Sequence, residues 1–240
     1  MKLEQGAELQ ASDRARLETV VAQTRKVAPR EDLIREGEIP ENVRLVLDGF
    51  ACRYKVLPDG KRSIVAFLLP GDFCDLHVAI LGSMDHAICA LTPCTIVEIP
   101  RSTIDDLTQN FPRITRALWW ATLVDEGILR EWLVSMGQRP SDKQLAHLIC
   151  ELLLRMQVVG RATENSFFLP LTQEELGDTL GISTVHVNRV LQQLREDGLI
   201  KLQGRTVTIP DVEKFKQFAE FNPNYLHLRD TKDIPVSDAG

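Results

Sequence analysis

In the stretch GISTVHVNRVLQQLREDGLI, Gly181 to Ile200, two kinds of residue separate when the chain is wound at about 100° per residue. Val187, Val190, Leu191 and Leu194 fall in one narrow arc, and Val185, Arg189 and Gln192 stand opposite, flanked by Asn188 and His186. An arginine can bond bidentately to guanine O6 and N7, and an apolar group beside it can meet a thymine methyl, so this outer face has the chemistry to read a DNA major groove. Thr184, His186 and Asn188 add donors and acceptors suited to bases or phosphates. Any amphipathic helix has an outer face, however, so the surroundings must decide what this one is for.

A second group lies in GDFCDLHVAILGSMDHAICAL, residues 71–91, where Asp72, Cys74, His77, Asp85 and His86 gather acidic, thiol and imidazole groups. Thiolate and imidazole together can ligate haem iron, which makes Cys74 and His77 candidates. Their separation of three residues would put the two side chains on opposite faces of a strand. Nothing in the spacing of His77, His86, Asp75 and Asp85 specifies a metal site, so none is expected. The chain also shows no Ser/His/Asp grouping and no phosphate-cradling glycine loop, and no catalytic residue is named.

The elements that must position these residues can be read around them. Thr172 with Glu175 forms a capping-box pattern that opens one helix, Gly181 offers the left-handed residue that ends it, and Ser183 can cap the next. The following GLIKLQGRTVTIPD reads as two strands around Gln203-Gly204, a hairpin whose Lys201, Gln203 and Arg205 can reach phosphates. Helix, tight turn, helix and hairpin make a winged helix-turn-helix. Upstream, short β-rich runs from about Arg25 to Pro100 alternate with turn signals such as Asp59-Gly60, which predicts an antiparallel barrel or jelly roll. A short helix is expected over 11–23 with Ser12 as its N-cap, and Ser102 with Asp105 resembles a second capping box.

Pro112 suits the first turn of a long helix that nothing breaks before Met136. Along it Ile114, Leu118, Ala121, Ile128 and Trp132 follow 4-3 spacing with Asp125 continuing the stripe, the pattern of a helix that pairs with a second subunit. Trp119, Trp120, Leu123 and Leu133 lie off that stripe, so the helix is expected to bury one face on its own β domain and another on its partner. GQRPS, residues 137–141, then reads as a hinge before a helix from 142 to 158. The class is α+β: a double-stranded β-helix (jelly-roll) domain over 1–111, a dimerisation helix and hinge over 112–138, a winged helix over 139–222 and a loose polar tail over 223–240.

This order of β-rich domain, long helix and winged helix, with LTQEELGDTLGISTVHVNRVLQQLREDGLI as its most specific stretch, resembles the Crp/Fnr family of bacterial transcription regulators from roughly Leu33 to Val212. The resemblance implies a homodimer joined along the long helix, two recognition helices on a pseudo-palindromic site, and contact with RNA polymerase, commonly as an activator. Two departures stand out. Well-known members carry a glutamate four residues before the arginine, where this chain has Val185, so a guanine is expected opposite Arg189 but a changed preference at its neighbour. Cyclic-nucleotide-binding relatives open a phosphate cassette with Gly-Glu and close it with Arg followed by Ser or Thr. Here Gly71-Asp72 keeps the opening while Asp85-His86 replaces the closing pair, and an aspartate there would repel the phosphate. Oxygen-sensing relatives hold an iron–sulfur cluster through cysteines near the N-terminus, and this chain has none before Cys52. A haem-based relative uses a Cys and a His close to where Cys74 and His77 stand. No cofactor is therefore expected: cyclic nucleotide and iron–sulfur cluster are disfavoured and haem stays open.

Bulk properties bound these readings. A formal charge of −6 and a pI near 5.5 argue against a chain coated in nucleic acid, but an average over the surface leaves room for one basic face. No secretory apolar run and no stretch near the ~20 residues of a membrane span is present, which predicts a cytoplasmic protein with no membrane partner. Five cysteines without paired spacing are expected as reduced thiols. The leading expectation is a DNA-binding regulator, and the alternative is a haem, redox or small-molecule sensor whose β-domain ligand controls DNA binding.

Overall fold

The computed structural model describes residues 2–229, apart from the side chains of Val78 and Ala79. A single turn of 3-10 helix at Lys2–Gln5 precedes α1 (Ala11–Val20), followed by seven strands: β1 (Thr24–Val27), β2 (Asp32–Ile34), β3 (Asn42–Asp48), β4 (Ala51–Val56), β5 (Arg62–Leu68), β6 (Ala87–Ala90) and β7 (Cys94–Pro100). A short helix, α2 (Val78–Leu81), interrupts them between β5 and β6. The strands form two antiparallel sheets, ordered β1-β7-β3 and β2-β6-β4-β5. Val46 and Ile96 from one sheet and Ile34, Leu68 and Ile88 from the other meet in a common apolar core, which makes the domain the expected β-roll. At Asp59-Gly60 the β4–β5 hairpin turns as its sequence requires: Gly60 takes φ 84°, and Asp59 Oδ1 accepts from the Lys61 amide at 3.0 Å.

Beyond the roll, α3 (Arg101–Asn110) leads to α4 (Pro112–Gln138), which opens with Pro112 in its first turn, then α5 (Ser141–Val158). The winged helix follows as β8 (Ser166–Phe168), α6 (Gln173–Leu180), α7 (Thr184–Glu196), β9 (Lys201–Gln203), β10 (Thr206–Thr208) and α8 (Val212–Phe218), its three strands ordered β8-β10-β9. Among the described residues no helix is long and apolar enough to cross a membrane.

Several local expectations are corrected. The N-cap of α1 is Gln10, whose amide donates to Asp13 Oδ2 at 2.9 Å, so Ser12 lies within the first turn. Helix α3 starts at Arg101 directly after the Pro100 that ends β7, which places Ser102 inside it and leaves no capping box with Asp105. Residues 223–229 are no loose tail. Pro223–Leu226 forms a 3-10 turn with Tyr225 and Leu226 buried, and the Tyr225 hydroxyl donates to Glu151 Oε2 at 3.1 Å. The rest of the expected tail, residues 230–240, lies outside the described residues.

The dimerisation stripe is the largest correction. Ile114, Leu118, Ile128 and Trp132 are buried within their own chain, Ala121 is half-buried against the same core, and Asp125 receives the Arg53 guanidinium of β4 at 3.0 Å. That face of α4 is satisfied internally. The opposite face carries Trp119 (69% exposed), Leu123 and Leu133 (74% exposed), with a Glu126–Arg130 ion pair between them at 3.2 Å. A 4-3 pattern marks an apolar seam but cannot say which neighbour fills it.

Candidate nucleic-acid interface

Helix α7 is placed by the turn before it. Thr172 Oγ1 accepts from the Glu175 amide at 3.1 Å while Glu175 Oε2 accepts from the Thr172 amide at 2.7 Å, so both ends of the capping box are made. Gly181 closes α6 in the left-handed region at φ 68°. Gly177 matters as much: a Cβ there would stand 2.7 Å from the Ile182 carbonyl oxygen, so only glycine lets α6 and the turn close this tightly. Ser183 Oγ then accepts from the His186 amide at 3.3 Å and starts α7.

The buried side of α7 is the predicted one, with Val187, Val190 and Leu194 sealed against α5 and α6 and Leu191 partly covered. Val185 is 70% exposed, and Thr184, Asn188, Arg189 and Gln192 stand in solvent around it. Not all of these are equally free. Gln192 donates to Glu196 Oε1 at 2.8 Å, and Asn188 Oδ1 accepts a long 3.4 Å bond from Gln173 Nε2. His186 is half-buried, and its Nε2 is paired with Ser141 Oγ at 2.7 Å, which ties the start of α5 to α7. In the wing, Lys201, Gln203 and Arg205 are exposed, with Gly204-Arg205 as the turn pair, one residue later than expected. Gln173, the donor of the bond to Asn188, is exposed at the first position of α6, directly after the Thr172 cap.

The acidic, thiol and imidazole group of the β-roll has a different fate. Asp72 is buried and fully engaged: its Oδ2 accepts from Arg155 Nη2 of α5 at 2.9 Å and from the Leu69 amide at 2.8 Å, and its Oδ1 pairs with the Lys2 ammonium. It is corrected from a ligand contact to a joint between domains. Arg155 also donates to the Phe67 carbonyl at 2.8 Å and to Glu151 Oε1 at 3.0 Å, while Trp132 Nε1 donates to Glu151 Oε2 at 2.9 Å. The i,i+4 spacing of Glu151 and Arg155 was the one trace of this network in the sequence. A second tie, Arg62 to Asp178 at 2.7 Å, holds β5 to α6.

Cys74 is sealed in the core, where burial pushes its thiol well above the ordinary range, and it does not share an open site with His77. Burial likewise raises Cys89 to about 11 and Cys150 to about 12, and all five cysteines are free and buried. His77, Asp85 and His86 do come together. One ligating atom from each lies within 4.8 Å of the other two, and the His86 Nδ1–H donates to Asp85 Oδ1 at 2.7 Å.

Comparison with known proteins matches the two halves of this geometry. Residues 24–111 fit the model of a cyclic nucleotide-binding domain, and residues 143–218 that of a Crp-like helix-turn-helix domain. The chain belongs to the Crp/Fnr family of transcription regulators. It is 28% identical over 193 residues to the transcriptional activator protein FnrL of Cereibacter sphaeroides, covering 79% of this chain and 77% of that one. It is 24% identical over 189 residues to the nitrogen fixation regulation protein FixK of Bradyrhizobium diazoefficiens, covering 79% and 78%. The solved structure of FixK2 from Bradyrhizobium japonicum superposes with a TM-score of 0.73 at 25% identity, over 82% of this chain and 96% of that one. As a Crp/Fnr member the chain is a DNA-binding regulator, and its jelly-roll, long-helix and winged-helix architecture is that of the family. The family is one of regulators and not of enzymes.

Proposed function

We propose that this Crp/Fnr chain acts in the cytoplasm as a homodimeric activator of transcription that reads a pseudo-palindromic DNA site and contacts RNA polymerase. The observation that carries the reading is the exposed pair Val185 and Arg189, four residues apart on a helix whose opposite side is sealed by Val187, Val190 and Leu194. Arg189 is the residue for a guanine in each half-site, and Val185 selects a thymine methyl beside it. Thr184, Asn188 and Gln192 add polar contacts, and Lys201, Gln203 and Arg205 of the wing hold the backbone. Two such helices need a fixed spacing of about one DNA turn, which a dimer through Trp119, Leu123 and Leu133 of α4 would supply.

The same proposal excludes a cyclic nucleotide from the β-roll. A cyclic phosphate needs a cationic partner where Asp85 stands, and the acidic group at the cassette opening, Asp72, is already held by Arg155 and Lys2. An iron–sulfur cluster lacks its N-terminal cysteines, and haem through Cys74 is opposed by that thiol's burial. The second reading, in which the β-roll controls DNA binding, is favoured by one feature: Arg155–Asp72 and Arg62–Asp178 join the roll to the winged helix. A change in the roll would be felt at α6 and α7 through these two pairs.

Fluorescence anisotropy with a labelled duplex tests the assignment. Arg189→Ala should lower affinity for the preferred site by about 1–3 kcal/mol and relax the choice at one base pair per half-site. An unchanged base preference in that variant removes Arg189, and with it this reading of α7.

A further inference from the structure

The loop between β5 and β6 brings together three groups that the regulator's DNA chemistry does not use. His86 is buried, and its Nδ1 faces Asp85 Oδ1 at 2.7 Å. A carboxylate only accepts, so Nδ1 carries the proton, and in a neutral ring Nε2 is left as a bare lone pair. That Nε2 is buried and has no hydrogen-bond partner, and the same is true of Nε2 of His77. The two rings stand 5.5 Å apart between centroids. Two partnerless imidazole nitrogens in one spot are costly unless something with an empty orbital or a proton sits between them.

We propose that His77, Asp85 and His86 form a binding site for a divalent first-row transition-metal ion of the zinc class. Two imidazole nitrogens with a carboxylate suit zinc, cobalt(II) or iron(II) better than calcium or magnesium, which prefer all-oxygen shells. Ligands about 2.1 Å from a tetrahedral centre stand roughly 3.4 Å from one another, so a set already within 4.8 Å needs only a small closure. Asp85 can supply it. Its side chain is 84% exposed, so it is free either to swing onto the ion or to stay on Nδ1 and orient the His86 ring, as carboxylates commonly do behind metal-bound histidines.

The nearby cations on β4 are each offset: Arg53 by Asp125 at 3.0 Å and Lys55 by Glu36 at 2.8 Å. Because Arg53 also donates to the carbonyls of Phe73 and Cys74, the site lies next to the contact that seats α4 on the roll.

Cobalt(II) titration of the full-length protein after chelator treatment tests this, with the visible absorption of bound cobalt as the readout and zinc as competitor. The expected result is one cobalt per chain, displaced by zinc, with affinity at least tenfold weaker in both His77→Gln and His86→Asn. If His86→Asn fails to fold, His77→Gln decides alone, since His77 is only half-buried in a loop. No bound-cobalt spectrum in the wild type, or equal affinity in folded His77→Gln, overturns the proposal.

Discussion

Polar side chains in the two halves of this molecule are used in opposite ways. On α7, Thr184, Arg189 and the apolar Val185 point outward with their chemistry available, held in place by a sealed valine and leucine face behind them. At the contact of the roll with α4 and α5 the polar groups turn inward: Asp72 to Arg155 and Lys2, Asp125 to Arg53, Glu151 to Arg155, Trp132 and Tyr225. A recognition surface needs rigid support from beneath but few partners of its own, whereas buried charges become a joint once counter-charges come from the same chain. Stability should therefore be concentrated in the roll-to-α5 network, and specificity in α7.

The sharpest way to break this contrast is at the network. Arg155→Ala leaves Glu151, fully buried, without its cation and Asp72 with Lys2 alone, and removing one member of such a buried group costs about 3–5 kcal/mol. Denaturant unfolding should show that loss as a lower midpoint, while the base preference of whatever folded protein remains stays as in the wild type. A loss under about 1 kcal/mol would mean that the joint carries no weight.

Next in size is a pH effect at the hinge side of α5. His147 stacks on Tyr225 with 5.9 Å between ring centroids, and burial, then the Arg139 guanidinium, pushes its pKa down to about 4. An unfolded chain would bind that proton near pH 6.5, so the contribution of neutral His147 is complete above 6.5 and is lost as pH falls toward 4. Asp75, raised to about 6 by its burial, works the other way over part of that range because the folded chain takes its proton first. Comparing wild type with His147→Phe cancels Asp75. Their stability difference should move against the wild type by about 2–3 kcal/mol between pH 7 and 4, and a flat difference would show that the ring is charged or solvated when folded.

The smallest expected effect sharpens the other side of the comparison. Lys201 is exposed on β9 and should serve only the DNA backbone, so Lys201→Ala should reduce the slope of log affinity against log salt by about 1 without altering the preferred sequence. A changed sequence preference would move Lys201 from the phosphates to the bases.

Much of this was legible in the residues. Thr172, Glu175, Gly181 and Ser183 act locally, through bonds within three or four positions, and the helix-turn-helix they specify formed as read. The strands around Asp59-Gly60 were equally plain, whereas β1, β2, β6 and β8, of three or four residues each, carry too little pattern to be seen alone. What escaped depends on contacts between distant parts of the chain. Asp72 meets Arg155 across 83 positions, and no period reports that. The α4 stripe misled for the same reason: Ile114 through Trp132 is an apolar seam in sequence, and only the folded roll and α5 show that the chain fills it itself. In the β-roll group, His77 and His86 were visible as residue types, but their convergence needed the turn of the intervening loop.

With Val187, Val190 and Leu194 sealed beneath it, α7 presents Val185 and Arg189 to solvent with nothing required in the roll for that exposure. Selection of bound duplexes from a random pool with purified, ligand-free, full-length protein tests it most directly. The expected result is recovery of a pseudo-palindrome with a guanine in each half-site, lost at that position with Arg189→Ala. Failure of the folded protein to enrich any sequence would contradict it.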